Sequence, residues 1–142
     1  MTDKLERARA CADAMYRNDK ASRALGIEVD IPEPGSAIAT MIVRDDMTNG
    51  FDICHGGLIF TLADTAFAFA CNAYDDVTVA GSGTVEFIRP AFKGDLLRAL
   101  ALEEHRGRKS GIYAVEVLNQ NDDFVALFRG RAVARGQPLL ES

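Results

Sequence analysis

His55-Gly56-Gly57 stands at the head of the longest apolar run in the chain, Leu58-Ile59-Phe60-Thr61-Leu62-Ala63-Asp64-Thr65-Ala66-Phe67-Ala68-Phe69-Ala70-Cys71. A run of this kind reads as a helix that is apolar nearly all round and therefore buried in a core. It contains one carboxylate, Asp64. An ionised carboxylate is costly to bury without partners. Two roles would justify it: acid–base or nucleophilic chemistry, or an internal partner that makes it a packing residue. At the head of the helix, free backbone N–H groups coincide with the positive end of the helix dipole. Glycine there lets a ligand approach the backbone closely. A carbonyl oxygen resting at Gly56 would be polarised and a developing oxyanion stabilised, while the plain alternative is an N-cap with conformational glycines.

Asp64 lies eight positions beyond Gly56, which is ~12 Å along a helix axis. A carbonyl held at the head of the helix is out of reach of a carboxylate two turns further along. If the two groups act on one substrate, they come from different chains. Two antiparallel copies of the helix about a twofold axis would supply two equivalent sites. Helical spacing gathers Gly57, Thr61, Asp64, Thr65, Ala68 and Asn72 into a small or polar stripe suited to such a contact.

Other constellations are weaker. Cys54-His55 places a nucleophile beside a base, but neighbouring residues seldom point together and no third orienting group is evident. Cys54, His55, Cys71 and His105 lack zinc-ligand spacing, so no metal is expected. Arg106, Arg108 and Lys109 make a basic turn that could hold a phosphate or simply be wet.

These groups need a frame. Thr2 or Asp3 can cap a first helix to Asn18, with Leu5, Ala8, Ala12, Met15 and Tyr16 on one face, and Asp19 can cap a further turn closed by Gly26. Residues 1–26 read as a helical packing arm. Strands follow at Ile27–Ile31 and Ala37–Val43, joined by the turn Glu33-Pro34-Gly35-Ser36. After the long helix the period changes to two, giving strands over Val77–Ile88, Leu96–Glu104, Ile112–Leu118 and Phe124–Ala134. Gly81 and Gly83 mark a bend or close backbone approach, and residues 137–142 read as a frayed tail. The order predicts an α+β fold in which a mainly antiparallel sheet wraps one central helix, the hotdog architecture.

At 142 residues, 48% hydrophobic and 26% charged, the chain reads as one ordinary globular domain, 1–142. A net charge of −5 without a basic run offers no footprint for nucleic acid. No run is long enough to span a membrane. Three cysteines at unrelated spacings read as reduced thiols, and the expected location is cytoplasmic.

Taken together, Asn49-Gly50, His55-Gly56-Gly57, Leu62-Ala63-Asp64-Thr65-Ala66, Ser82-Gly83, Phe87-Ile88-Arg89-Pro90 and Gly94-Asp95 resemble the hotdog-fold acyl-CoA thioesterases, most of all the bacterial phenylacetic-acid-degradation thioesterases. The resemblance implies hydrolysis of an aryl-acyl-CoA, such as phenylacetyl-CoA or a ring-hydroxylated relative, to the free acid and CoA, in aromatic catabolism. It implies Asp64 as the catalytic carboxylate, Gly56 as the carbonyl-polarising donor, and Asn49 and His55 as residues ordering the site and its water. It also implies a homodimer with shared sites, paired into a homotetramer, and no cofactor beyond the CoA of substrate and product. Gly57, Thr65, Phe51 and Ser82 are expected to contact substrate, and Arg89, Arg108 and Lys109 the CoA phosphates. Phe51, Tyr74 and Phe87 are candidates for an apolar acyl pocket. The competing readings are a hotdog dehydratase acting on a hydroxyacyl thioester and a non-catalytic acyl-CoA-binding module.

Overall fold

The computed structural model of the chain describes residues 3–140. Two helices, α1 (Asp3–Asn18) and α2 (Lys20–Ala24), form the N-terminal arm. α1 lays Leu5, Ala8, Ala12, Met15 and Tyr16 against the core, the face its spacing predicts. The Tyr16 hydroxyl donates to the Ile27 carbonyl at 2.8 Å and ties the arm to the sheet. Of the two expected caps of α1, Thr2 lies outside the described residues and Asp3 is the first helical residue. Asp19 caps α2 by accepting from the Ser22 N–H at 3.0 Å, and Gly26 follows at φ +70°.

The strands are β1 (Glu28–Asp30), β2 (Ser36–Ile42), β3 (Thr78–Phe87), β4 (Leu96–Arg106), β5 (Ser110–Leu118) and β6 (Phe124–Ala134). They form one antiparallel sheet in the order β1-β2-β4-β5-β6-β3. The long apolar helix, α3 (Gly56–Cys71), packs across one face of this sheet. This is the α+β hotdog arrangement that the element order predicts. In β5, Gly111, Tyr113, Val115 and Val117 alternate inward, so every second side chain meets the helix side of the sheet. Small residues at the contact, among them Ala39, Ala99, Ala101 and Gly130, let the helix come close. A Cβ at Gly130 would stand 2.9 Å from the Phe67 ring, which is why that position has no side chain.

β3 departs from this pattern. It is a ten-residue edge strand, and most of it is exposed on both faces. A register shift between Ala80 and Ser82 makes Gly81 the bulge residue, as its position in the strand suggests. Its first residue is clamped to the end of α3: Asn72, buried, accepts from the Thr78 N–H and donates to the Thr78 carbonyl, both at 2.9 Å.

The expectation of a frayed tail is not met as far as Leu140. Asp76 accepts from the N–H groups of Gly136 and Gln137, and Asp75 from those of Leu139 and Leu140 at 2.9 and 2.7 Å. Two carboxylates at the helix exit thus bind the tail, a tie between residues some sixty positions apart that local sequence does not announce. Among the described residues no helix is long and apolar enough to cross a membrane.

Candidate active site

The loop before α3 owes its shape to Asn49. The Asn49 side-chain oxygen accepts from the N–H groups of Phe51 and Ile53, and its backbone N–H bonds the Ile53 carbonyl at 2.8 Å. The chain then turns into the helix through His55, whose Nδ1 accepts from the Gly57 N–H at 3.2 Å. That bond holds the ring at the helix head. Leu58 and Ile59 both donate to the His55 carbonyl, so three of the first four helical N–H groups have acceptors. Among the described residues none is found for the fourth, that of Gly56. One free donor at the positive end of a helix dipole is the group that would polarise a carbonyl. Gly57, also expected at the substrate, has its N–H committed to the cap.

A groove of about 380 Å³ opens beside Gly56, lined by Asn49, Ile53, Cys54, Ile59, Phe87, Ile88, Arg89 and Pro90. Asn49, Gly56 and Arg89 thus line one groove. Arg89 pairs with Asp123 at 3.3 Å at the surface.

Asp64 sits two turns along α3, half-buried, with no hydrogen-bond or ion-pair partner among the described residues. Burial alone raises its carboxyl above the ordinary carboxylate value. The internal partner that would make it a packing residue is therefore not present within one chain. It shares its side of the helix with Gly57, Thr61 and Ala68, all incompletely buried.

Several expected site residues lie elsewhere. Thr65 is buried, donating to the Thr61 carbonyl at 2.8 Å and lying 3.2 Å from the Ser22 hydroxyl of α2, so within the chain it packs the arm. Asn72 likewise leaves the stripe to clamp β3. Phe51 is 85% exposed at the loop tip and outside the groove. Ser82 stands exposed on β3, paired with Arg131 and away from the groove. Arg108 lines a crevice with Cys71 and Tyr74, at the end of α3 opposite Gly56, and Lys109 follows it. A 16-residue helix is ~24 Å long, so these two cations and the Gly56 of their own chain lie at opposite ends of the molecule.

Tyr74 also lies away from the groove beside its own chain's Gly56. The Tyr74 and Tyr113 hydroxyls both donate to one oxygen of Glu103, at 2.7 and 2.8 Å, and the Arg106 guanidinium lies over the Tyr74 ring. This network closes the sheet beneath the C-terminal end of α3. Of the groove residues, Ile53 and Ile59 are not singled out by the sequence, and Ile88 and Pro90 stand in a family motif without a role. Their only signal was an apolar pair, Phe87-Ile88, left exposed where β3 ends.

The model of the thioesterase superfamily matches residues 51–126, from the Asn49 loop through α3 and most of the sheet. The chain belongs to this superfamily. It is a thioester hydrolase with the hotdog fold, and the helix head and Asp64 both fall within the matched span. Among its relatives, the acyl-coenzyme A thioesterase PaaI of Escherichia coli is 48% identical over 121 residues, covering 85% of this chain and 86% of that one. The structure of the E. coli PaaI protein from the phenylacetic acid degradation operon superposes with a TM-score of 0.93 at 44% identity, over 96% and 99% of the two chains. The smu.793 protein of Streptococcus mutans, solved bound to acetyl CoA, gives a TM-score of 0.75 at 26% identity, over 79% and 90%. Among the described residues of this thioesterase, the Gly56 N–H has no acceptor and the Asp64 side chain no partner.

Proposed function

We propose that this thioesterase hydrolyses aryl-acyl-CoA, phenylacetyl-CoA or a ring-hydroxylated relative, to the free acid and CoA, as a cytoplasmic homodimer with shared sites that pairs into a tetramer. One observation carries the reading: a half-buried carboxylate without a partner stands on the same helix as an N–H without an acceptor, too far along it to serve the same carbonyl. The relatedness to E. coli PaaI, with its place in a phenylacetic acid degradation operon, supports the acyl group. The acetyl CoA bound by the S. mutans relative supports CoA as the carrier.

In the proposed reaction the thioester oxygen accepts from the Gly56 N–H. Asp64 of the partner subunit then takes a proton from a water attacking the carbonyl, or attacks it directly to give a mixed anhydride that water opens. Either route breaks the carbon–sulfur bond, and the CoA thiolate leaves and is protonated. The carboxylate must be ionised for both. The resemblance supports His55 and Asn49 as residues that hold the loop and the water in place, and the cap bond of His55 and the turn bonds of Asn49 suit that role. Arg89 is the candidate cation on the same side as its own chain's Gly56, but it is paired with Asp123, so a CoA phosphate would have to compete for it at the surface, outside the apolar part of the groove.

The test is thiol release from phenylacetyl-CoA by wild-type protein, Asp64→Ala and Asp64→Asn. Loss of a positioned base or nucleophile lowers turnover by about 10²- to 10⁴-fold. Near wild-type turnover in either folded variant would remove Asp64 from the mechanism.

A further inference from the structure

We infer that Phe87 sets the size and shape of the acyl group accepted, forming with Ile53, Ile59 and Ile88 the wall of the groove in which that group lies. The inference rests on the thioesterase reading with Gly56 as the carbonyl donor.

The first observation is position. A Cβ built on Gly56 would stand 3.1 Å from the tip of the Phe87 ring. A thioester oxygen accepting from the Gly56 N–H therefore brings the acyl chain alongside that ring. The second is chemistry. Between Gly56 and Pro90 the groove is walled by aliphatic and aromatic side chains, and Arg89, its one charged group, is paired with Asp123. Such a lining suits a hydrocarbon or aryl group and does not suit a polyphosphate.

The third is rigidity. Phe87 is in register with Ala126, and the next two N–H groups, those of Ile88 and Arg89, both donate to the Val125 carbonyl. On the other side Cys54 donates to the Ala91 carbonyl at 2.8 Å, and Ile53 bridges to Phe92. A wall held from both sides can discriminate by shape, because it cannot give way at little cost. The fourth is exposure. Phe87 and Ile88 are 55% and 53% exposed in the chain, far more than residues kept for the core, so trimming them takes little from the fold.

The experiment measures kcat/KM by CoA thiol release for wild type, Phe87→Ala and Phe87→Leu, with straight-chain acyl-CoA esters from acetyl to decanoyl and with phenylacetyl-CoA. A hydrophobic pocket discriminates by roughly tenfold or more per methylene-sized mismatch. Phe87→Ala should therefore raise the ratio of long-chain to short-chain kcat/KM by about tenfold or more, and Phe87→Leu should move it the same way by less. A change by one common factor across all substrates would assign Phe87 to structure and overturn the inference. Should Phe87→Ala fail to fold, Phe87→Leu and Ile88→Ala decide: a profile within about twofold of wild type in both overturns it. If wild type releases no thiol from any ester, the thioesterase reading falls and this inference with it. If wild type is active, Asp64→Ala is dead and the Phe87 profiles are flat, only the role of Phe87 falls.

Discussion

Asp64 has a pH signature of its own. Burial raises its carboxyl above the ordinary value of about 3.9. The ionised form must do the chemistry, so kcat/KM should climb with pH along a limb set higher than an exposed aspartate would give, which a pH–rate profile with phenylacetyl-CoA measures. Stability should run the other way. A carboxylate whose folded value is raised binds its proton more tightly in the folded state, so folding loses stability as pH rises from the unfolded value through the folded one. Asp64→Asn removes that loss. It should melt above wild type at neutral pH, with the difference vanishing as pH falls below the ordinary carboxylate range; a melting difference that did not change with pH would show that the carboxylate is already satisfied. Gly56 is the complementary case. Gly56→Ala presses a methyl against the Phe87 ring at 3.1 Å, where the ring must yield by a few tenths of an ångström. Turnover should drop while the far end of the helix stays unchanged in hydrogen exchange.

Among the elements, α3 and its connection to β3 hold the site. The buried Asn72 amide makes three bonds to backbone groups, one to Ala68 and two to Thr78. Asn72→Ala would strand the Thr78 groups and should cost about 1–3 kcal/mol, a thermal shift of several degrees read by calorimetry. The elements were largely legible from the sequence because strands β5 and β6 are buried on one face and alternate accordingly. The phase of α3 was harder to read. Helical steps turn ~100° per residue, so Thr65, next after Asp64, rotates out of the open side and into the contact with Ser22. Its partner lies 43 positions earlier, and no local pattern announces such a bond. The apolar wall at Ile53, Ile59 and Ile88 was hidden for the opposite reason: aliphatic side chains carry no chemistry of their own, and only the fold shows which of them face a groove. The cations at 108 and 109 stand far from their own chain's Gly56, because sequence gives charge without an address.

For the whole molecule, the open side of α3 and the bare edge of β3 lie on the part of the chain that the proposed partner would cover. Thr61 belongs to the open side, incompletely buried, its hydroxyl donating to the Gly57 carbonyl at 2.9 Å. Thr61→Arg should leave the single chain folded, since the position reaches solvent, and should push the dimer apart. Light scattering would then show monomers, and thiol release would be lost with the second chain. Fully active monomers would refute a shared site. Mixed dimers of an Asp64→Asn chain with a Gly56→Ala chain should recover activity at one of their two sites, and homodimers of either should not.

One feature of the fold reaches further than its hydrogen bonds suggest. β3 starts in the grip of Asn72 at the tail of α3 and ends with Phe87 over Gly56 at the head, so the strand measures off the helix like a ruler. Side chains alternate faces along a strand, and a slip of one residue turns every one of them over. Gly81 already takes up one residue as a bulge. A single insertion or deletion between Thr78 and Phe87 would swing Phe87 away from the helix head, whatever residue was added or removed. A substitution within this strand leaves that measure intact, whereas its length should not vary among working copies of the enzyme.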